Sequence, residues 1–195
     1  ASRALVVDDD GFVRMVVSEV LKQSGLEVCE AESGAQALEL FVAFRPDIVV
    51  LDVMMPGLDG FATCTKLREC VGGSRVPILI MTGLDDAESI ARAYEHGATD
   101  FITKPLNPVI LSNRVRYMLR GSHTLDALLR SEARLGFAQR IAKIGNWEWR
   151  PDTNQFTAST ELCRLMGIRP QDFGGTIDAF LHLVHTEDRD RVEEA

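Results

Sequence analysis

Five polar side chains in the first 104 residues of the chain directly follow short apolar runs, and their chemical types suit phosphoryl transfer. They are Asp8, Asp9, Asp52, Thr82 and Lys104. Three carboxylates brought together would repel one another and raise each other's pKa unless a divalent cation lay among them. Oxygen-only ligands favour Mg²⁺ over zinc. We therefore predict a Mg²⁺ site with Asp52 as carboxylate nucleophile and an aspartyl phosphate as the product.

The surrounding sequence alternates short apolar runs with longer helical segments, which predicts an α/β fold with a doubly wound, five-stranded parallel sheet. Strands are predicted over residues 4–7, 26–31, 47–53, 77–82 and 100–103, and helices over 11–24, 33–44, 60–70, 85–96 and 107–120. The third and fourth runs are apolar on both faces, as central strands require. Because the carboxyl ends of parallel strands meet at one edge, the polar side chains should share a crevice.

Each carboxylate at the end of the first strand also has a simpler explanation. Asp8, Asp9 or Asp10 taken singly could cap the helix that follows, since aspartate is a preferred N-cap residue. Capping does not explain their combination with Asp52 and Lys104 at the ends of other strands. The combination therefore favours a functional site.

Composition and charge narrow the function classes. The chain has 195 residues with 21 Lys and Arg against 29 Asp and Glu, a net charge of −8, so it offers no basic surface for direct nucleic acid binding. No apolar run is long enough for a membrane span and no signal peptide is recognisable, so we expect no membrane association. Cysteines without metal-binding spacing favour a reducing compartment and a cytoplasmic protein: Cys29, Cys64, Cys70 and Cys163.

Residues 122–144 are predicted to form one long helix that connects two domains. Apolar residues recur along it mostly at three- and seven-residue spacing, at Leu125, Leu128, Leu135 and Ala142. Glu132 and Gln139 fall where a coiled-coil interior requires apolar side chains, so we predict a connector with a partial dimer seam rather than a strong zipper. The alternative is an amphipathic linker helix that packs on its own domain.

The sequence predicts a small α+β segment over residues 145–195. Two strands over 146–150 and 155–158 are joined by a turn and followed by helices over 160–166, 177–184 and 187–194. Two strands do not form a self-sufficient sheet, so we expect this segment to be the first part of a domain that continues.

Four stretches within residues 4–120 carry a resemblance to a known family. In order and spacing, LVVDDD, VVLDVMMPGLDG, PILIMTG and ATDFITKP resemble the receiver domain of two-component response regulators, over about residues 4–120. The resemblance implies a flavodoxin-like sheet of strand order 2-1-3-4-5, Mg²⁺ as cofactor and Asp52 as phosphoacceptor. It also implies that Asp9 is a direct Mg²⁺ ligand, Asp8 a ligand largely through water, and the Met54 backbone carbonyl a third protein ligand.

The same resemblance assigns roles to residues of the later strands. Lys104 would contact the phosphoryl group, and Thr82 would move to hydrogen-bond it. Phe101 occupies the position of the family's switch aromatic, which turns inward when Thr82 withdraws from its path; plain core packing is the alternative. The peptide before Pro105 is expected to be cis, and Pro56 with Gly57 would shape the loop after the acceptor. Asp10 and Gly83 lie where the family varies its side chains, which implies an influence on phosphoryl lifetime.

A second resemblance covers the end of the chain. The stretches RIAKIGNWEWRPDTNQFTASTELCRLMGI and FLHLVHTEDRDRV are similar to the start of a PAS sensor domain, although Ala158 replaces a frequent tryptophan and Thr186 a usual proline. We interpret Trp147 and Trp149 as packing residues. We interpret the stretch of His185, Asp188 and Arg189 as a turn with a helix cap, and we assign no ligand.

Together these resemblances imply a two-component signalling protein. Its receiver domain would span 1–121, its helical connector 122–144 and its partial PAS-like domain 145–195. A sensor histidine kinase or phosphotransfer protein would load Asp52, and the change would pass through the connector to a C-terminal output region. Chains of this build often continue into domains that make or break cyclic di-GMP. We expect a homodimer through the connector and the face of the fourth and fifth βα units.

Two rival hypotheses remain. A metal-dependent phosphatase with an aspartate nucleophile needs a second aspartate two residues later as general acid, and Met54 stands there instead. A docking module with a vestigial acidic crevice is the other rival. We expect no enzyme activity on outside substrates, only self-phosphorylation and autodephosphorylation of the receiver.

Overall fold

The computed structural model describes residues 1–83 and 87–189. The chain forms two compact units, Ala1–Asp126 and Ala127–Ala195. The first unit therefore ends within the segment predicted as the connector. No helix within the described residues combines the length and the apolar character that crossing a bilayer requires.

The first unit is a five-stranded parallel sheet in the order β2-β1-β3-β4-β5, which confirms the predicted fold class. Its strands are β1 (Arg3–Val7), β2 (Glu27–Ala31), β3 (Ile48–Asp52), β4 (Ile78–Thr82) and β5 (Asp100–Thr103). The helices between them are α1 (Gly11–Gln23), α2 (Gly34–Phe44), α3 (Gly60–Glu69) and α4 (Ala87–Glu95). The start predicted for α4, at residue 85, lies outside the described residues.

Two hydrophobic cores lie on opposite faces of this sheet. Successive residues of a strand point to opposite faces, so β3 supplies Val49 and Leu51 to the core that includes α2, α3 and α4. The same strand supplies Ile48 and Val50 to the core that includes α1 and the helix that begins at Pro108. Strands β3 and β4 are buried along their whole length, as central strands should be. Their carboxyl ends are therefore held firmly in place.

Short polar side chains cap the starts of α1, α2 and α3. The Asp10 carboxylate accepts hydrogen bonds from the backbone N–H groups of Phe12 (2.8 Å) and Val13 (3.3 Å), at the start of α1. Ser33 caps α2 and Asp59 caps α3 in the same manner. Asp10 thus takes the capping role that was open to each of the three consecutive aspartates, and it leaves the other two carboxylates for another role.

The fifth helix, α5 (Pro108–Ala142), is one continuous element rather than the two predicted segments. Gly121 lies inside this helix. A single glycine weakens a helix by about 1 kcal/mol, which is not enough to end it here. The first part of α5 buries Leu111, Val115, Met118 and Leu119. The leucines proposed for the dimer seam are exposed: Leu125 by 53%, Leu128 by 55% and Leu135 by 60%. The seam itself stays a prediction.

The second unit contains a small antiparallel hairpin and short helices, in agreement with the predicted α+β segment. Its elements are β6 (Trp147–Arg150), β7 (Gln155–Ala158), α6 (Thr160–Leu165) and α7 (Ile177–Leu183), with 3-10 turns at Pro170–Asp172 and Thr186–Asp188. Most of the helix predicted over 187–194 lies outside the described residues, and its first two residues belong to the second turn. His185 caps that turn, and Arg189 Nε donates to the Val184 carbonyl (3.1 Å), which is a turn-and-cap arrangement.

Aromatic rings form the core of the second unit. Phe156 is 1% exposed, and its ring centroid lies 4.6 Å from Phe180, 5.4 Å from Trp147 and 5.5 Å from Phe173. Trp149, directly opposite Phe156 in the hairpin, is 42% exposed. Trp147 stacks on the Phe156 ring although it is 56% exposed, so the packing role predicted for it is met in part, whereas Trp149 makes no ring contact within the described residues.

Arg68 on α3 fastens two loops of the first unit together. Its guanidinium donates hydrogen bonds to the carbonyl oxygens of Gly73, Val76 and Gly97 and to the Thr99 hydroxyl. Within the described part of the chain it has no carboxylate within ion-pair distance, and burial lowers its pKa. The guanidinium therefore donates hydrogen bonds to carbonyl oxygens rather than pairing with a carboxylate.

Replacing Arg68 by methionine is expected to lower the free energy of unfolding by about 2–4 kcal/mol, because buried carbonyls lose a charged donor. Urea unfolding followed by circular dichroism measures this loss. The matched control is Arg75→Met in the turn that follows α3, where the exposed guanidinium makes no side-chain hydrogen bond in the described structure. Equal losses in the two variants would contradict this role for Arg68.

Candidate functional site

Three carboxylates gather at the carboxyl edge of the sheet. Asp8 directly follows β1 and Asp52 ends β3, and these two strands are hydrogen-bonded neighbours in parallel register. One oxygen from each of Asp8, Asp9 and Asp52 lies within 4.8 Å of the others. Asp8 and Asp52 are buried, whereas Asp9 is exposed. The sequence placed these residues in one crevice, and the structure brings them together there.

Lys104, which follows β5, reaches across the crevice to two of these carboxylates. Its Nζ lies 2.7 Å from Asp52 Oδ1 and 3.0 Å from Asp8 Oδ2. Its backbone N–H donates to the Thr82 carbonyl oxygen (2.7 Å), which fixes the lysine beside the end of β4. The peptide between Lys104 and Pro105 is cis, as the resemblance implied. Lys104 is thus the internal counter-ion of the carboxylate pair.

The backbone of the following loop holds the Asp52 side chain from its other oxygen. The backbone N–H of Met54 donates to Asp52 Oδ2 (2.9 Å). The Met54 side chain is 69% exposed and points away from the buried core. Gly57 adopts a φ of 78°, a left-handed conformation that glycine accepts without strain. The loop therefore orients the carboxylate with a main-chain donor rather than with a side chain.

Gly60, the first residue of α3, lies tightly against the end of β3. A Cβ atom at this position would stand 2.1 Å from the Asp52 carbonyl oxygen and 2.7 Å from the Val53 Cα. The Gly60 N–H donates to the Val53 carbonyl (2.9 Å). Only glycine permits this approach, so the main chain that leaves Asp52 is fixed by contact with α3.

Burial and charge shift the pKa values of two groups in the crevice. Burial raises the pKa of the Asp8 carboxyl above its ordinary value; the hydrogen bond from Lys104 opposes the rise, and the charge of Asp52 adds to it. Burial alone would lower the pKa of Lys104, but its hydrogen bonds to Asp52 and Asp8 outweigh that effect, and the pKa lies above its ordinary value. Lys104 therefore stays protonated to a higher pH than an ordinary lysine, and Asp8 ionises less readily than an ordinary aspartate.

The donor set fits a hard divalent cation. Three carboxylates face one ammonium, so negative charge remains in excess at Asp8, Asp9 and Asp52. All three ligand groups offer oxygen, the donor that Mg²⁺ takes, and no His or Cys belongs to this cluster among the described residues. A dication beside Asp8 would favour its ionised form and so oppose the rise in pKa that burial and the Asp52 charge cause.

Thr82 and Phe101 lie beside this crevice on β4 and β5. Thr82, the last residue of β4, is 3% exposed. Phe101 is half-buried; its ring meets the ring of Tyr94 edge-on at 6.1 Å between centroids, and the Arg114 guanidinium lies 5.9 Å from its centroid. Arg114 also bonds Asp100 (2.8 Å). The Phe101 ring is therefore packed between α4 and α5.

The family comparison agrees with this geometry. The family model described as the response regulator receiver domain matches residues 4–116, more than half of the chain. The chain belongs to the response regulator receiver family. A second model, described as the PAS fold, matches residues 155–195, which supports the second resemblance. Receiver domains interact with histidine kinases or phosphotransfer proteins.

Known receiver proteins resemble the chain over different lengths. The response regulator PleD of Caulobacter vibrioides is 39% identical over 173 residues, which cover 85% of this chain and 38% of PleD. Among solved structures, the BeF3-activated N-terminal receiver domain of Klebsiella pneumoniae RstA shares 34% identity at a TM-score of 0.57, covering 61% of this chain and 99% of that one. The chemotaxis protein CheY4 of Vibrio cholerae shares 32% sequence identity at a TM-score of 0.58, and the match covers 60% of this chain and 98% of CheY4. The chain thus spans well under half the length of PleD.

One feature of the receiver was not predicted from the sequence. An apolar cleft of about 290 Å³ lies directly beside Lys104, and its other lining residues come from α1 and from the segment after β5: Phe12, Val13, Val16, Pro105 and Leu106. Phe12 is 70% exposed despite its size. The signal in the sequence was a phenylalanine in the first turn of a helix that directly follows the acidic run. We call this surface the Phe12 cleft.

Proposed function

We propose that this receiver accepts a phosphoryl group on Asp52 in a Mg²⁺-dependent reaction. The observation that carries the proposal is the fixed Asp52 carboxylate, whose two oxygens are engaged by Lys104 Nζ at 2.7 Å and by the Met54 N–H at 2.9 Å. Asp8 and Asp9 each place an oxygen within 4.8 Å of one on Asp52, so the three carboxylates could share a metal ion. A nucleophile, a cation and metal ligands in one crevice are the parts that phosphoryl transfer needs.

The chemistry assigned to these residues follows from their positions. An oxygen of Asp52 attacks the phosphorus of a phosphohistidine, the bond from phosphorus to the imidazole nitrogen breaks, and that nitrogen keeps the electron pair. Mg²⁺ held by Asp8, Asp9, Asp52 and the Met54 carbonyl would offset the charge of the phosphoryl oxygens. The Lys104 ammonium pairs with the Asp52 carboxylate before the reaction and would contact the phosphoryl group after it. Only this self-modification and its hydrolysis are proposed, with no turnover of outside substrates.

Intact-mass spectrometry after incubation with acetyl phosphate and Mg²⁺ tests the proposal. We expect one phosphoryl adduct on the chain, which disappears on mild alkaline treatment because acyl phosphates hydrolyse readily. The same incubation with EDTA should give no adduct. Absence of an adduct with Mg²⁺, together with failure to bind beryllofluoride, would leave the docking-module hypothesis in its place.

The signal would leave the crevice through Thr82 and Phe101. Thr82 would move to hydrogen-bond the phosphoryl group, and the Phe101 ring would turn inward from its position between Tyr94 and Arg114. A ligand shifts a conformational equilibrium only through different contacts in the two states, and the phosphoryl group makes such contacts at Thr82 and Lys104. The proposed path then follows α5 toward the PAS-like segment and an output region, with cyclic di-GMP turnover as one class of output.

We also propose a cytoplasmic location and a homodimer through the connector helix. Four free cysteines are compatible with a reducing compartment. The exposed leucines of α5 are compatible with pairing of two copies.

Affinity for Mg²⁺ is expected to fall as the pH is lowered through the pKa of Asp8, because only the ionised carboxylate binds a metal ion. Since that pKa is raised, the fall should begin above the range of an ordinary aspartate, whose pKa is about 3.9. The same shift means that, without metal, ionisation of Asp8 lowers the stability of the fold as the pH rises through it. Calorimetric titration between mildly acid and neutral pH measures the affinity. A profile that Asp8→Asn leaves unmoved would contradict this assignment.

We propose that the Phe12 cleft receives the phosphodonor protein. It is apolar, it is exposed, and Lys104 forms part of its lining, so a partner seated on it would present its phosphohistidine to the acceptor crevice. Exposed aromatic side chains beside a reactive centre are typical anchors of protein interfaces. A small-molecule phosphodonor does not need this anchor. Comparing a protein donor with a small-molecule donor therefore distinguishes an effect on docking from an effect on phosphoryl transfer.

Phe12→Ala is expected to slow phosphotransfer from a phosphorylated histidine phosphotransfer protein by roughly tenfold, since an anchor residue contributes upward of about 1 kcal/mol. The rate with acetyl phosphate should stay unchanged. Tyr117→Ala removes another exposed ring, 80% accessible, from the same unit and serves as the control. Equal slowing with both donors would place Phe12 in the fold rather than in docking.

A further inference from the structure

We infer that the receiver unit carries a second ligand site, which binds a small phosphate-type dianion at the edge of the sheet opposite Asp52. The site is a recess of about 220 Å³ between the segment before β1, the turn after α1 and one face of α5. We call it the basal pocket. Its polar lining consists of Ser2, Ser24, Ser112, Arg116, Arg120 and His123.

The cationic side chains of the basal pocket share one face of α5. Arg116, Arg120 and His123 stand at i, i+4 and i+7, so they lie one above another along the helix. Among the described residues, no Asp or Glu lines the pocket. Like charges at this spacing destabilise a helix, and this clustering occurs in a chain whose net charge is −8. An anion bound between the two guanidinium groups would relieve that repulsion.

The two guanidinium groups are available to a ligand. Within residues 1–83 and 87–189, neither Arg116 nor Arg120 is recorded in a side-chain hydrogen bond or an ion pair, whereas Arg68 and Arg114 of the same unit are engaged by protein oxygens. Arginine presents its donors as a rigid fork that matches two oxygens of a phosphate group. The guanidinium groups of Arg116 and Arg120 on one face of α5 therefore favour a ligand with several oxygens and more than one negative charge.

A simpler explanation is that these cations serve the carboxyl end of α1, where backbone carbonyls lack helix partners. Three of the carbonyls there already accept backbone hydrogen bonds. Ser24 N–H donates to Val20 O, Gly25 N–H to Lys22 O and Leu26 N–H to Leu21 O, each between 2.9 and 3.1 Å. The last-turn lysine pairs with Glu30 instead. Capping of α1 does not account for the arginines.

The floor of the basal pocket fixes which groups would recognise the ligand. Ser24 Oγ donates to the Val20 carbonyl (2.9 Å) and lies 2.9 Å from Ser112 Oγ, so the Ser112 hydroxyl donates to Ser24. Both hydroxyl protons are therefore used within the protein. Recognition is left to the arginines, His123 and the Ser2 hydroxyl. The recess is smaller than the roughly 300–1,000 Å³ of pockets for drug-sized molecules, so a compact anion fits.

Titration of the full chain with inorganic phosphate and with pyrophosphate tests the inference. EDTA is present throughout, and ionic strength is held constant with chloride. We expect saturable ¹H–¹⁵N shifts at Gly25, Leu26 and Ser112, with pyrophosphate binding more tightly than phosphate. Without divalent metal the acceptor crevice is anionic and should not respond, so the result is independent of phosphorylation on Asp52.

Two double variants decide the matter. Arg116→Gln with Arg120→Gln should weaken pyrophosphate binding at least tenfold. Arg130→Gln with Arg134→Gln removes two exposed arginines at the same i, i+4 spacing outside the pocket and should leave binding unchanged. Equal weakening in both variants, or shifts that never saturate, would reduce the effect to general charge attraction and overturn the inference.

Discussion

Asp52→Asn is expected to leave the chain with no phosphoryl adduct after incubation with acetyl phosphate and Mg²⁺. An amide is a poor nucleophile and cannot form an acyl phosphate, whereas asparagine has the same size and its single oxygen can still accept from either Lys104 or the Met54 N–H. The fold should therefore survive and the loss should be complete. Intact-mass spectrometry measures the adduct, and circular dichroism checks that the variant is folded.

The matched control is Asp10→Asn. Asp10 lies two residues from Asp8, yet its carboxylate only caps α1, and asparagine caps a helix as well as aspartate does. This variant should be phosphorylated at a rate close to that of the wild type. An adduct on Asp52→Asn would place the acceptor elsewhere and contradict the proposal.

Lys104→Met should lower the free energy of unfolding by about 2–3 kcal/mol at neutral pH when no divalent metal is present. It removes the ammonium that contacts both buried carboxylates, and an unpaired buried charge is strongly unfavourable. The partial exposure of the lysine, whose side chain is 28% accessible, places the effect below the 3–5 kcal/mol that fully buried pairs show. Urea unfolding in EDTA measures it.

The sign of the pH dependence makes this prediction sharper. Below the raised pKa of Asp8 the carboxyl is neutral, so removing Lys104 should matter less in acid than at neutral pH. The control is Lys22→Met, which removes a lysine paired with Glu30 at 3.7 Å on the surface and should change stability by less than about 0.5 kcal/mol. A loss in Lys104→Met that grows toward acid pH would contradict the assignment of Lys104 as counter-ion.

The sequence was most informative where one residue type at a strand end decides the outcome. Asp8 and Asp52 could be placed together because parallel strands share one carboxyl edge, and the apolar runs predicted which strands are central. The continuity of α5 through Gly121 was missed, since glycine only weakens a helix and packing of the flanking turns decides whether it ends there.

Contacts that depend on backbone direction were beyond sequence reasoning. The hydrogen bond from the Met54 N–H to Asp52 and those from Arg68 to backbone carbonyls depend on loop conformation. Residue types do not predict them, because every residue has a backbone carbonyl and every residue except proline has a backbone N–H. The Phe12 cleft was missed because its two parts meet only in the folded chain. The roles of Thr82 and Phe101 stay predictions that rest on family resemblance.

The tight approach of Gly60 to the end of β3 bears on how this receiver can diverge in sequence. Residue 54 touches the acceptor only through its main chain, and its side chain is mostly in solvent, so many residue types can occupy it. Position 60 has no such latitude, because a single methyl group there would collide with the Asp52 carbonyl. In a library that randomises residues 53–60, functional clones should therefore vary at residue 54, which contacts the Asp52 carboxylate, and keep glycine at residue 60, which lies against the main chain of Asp52.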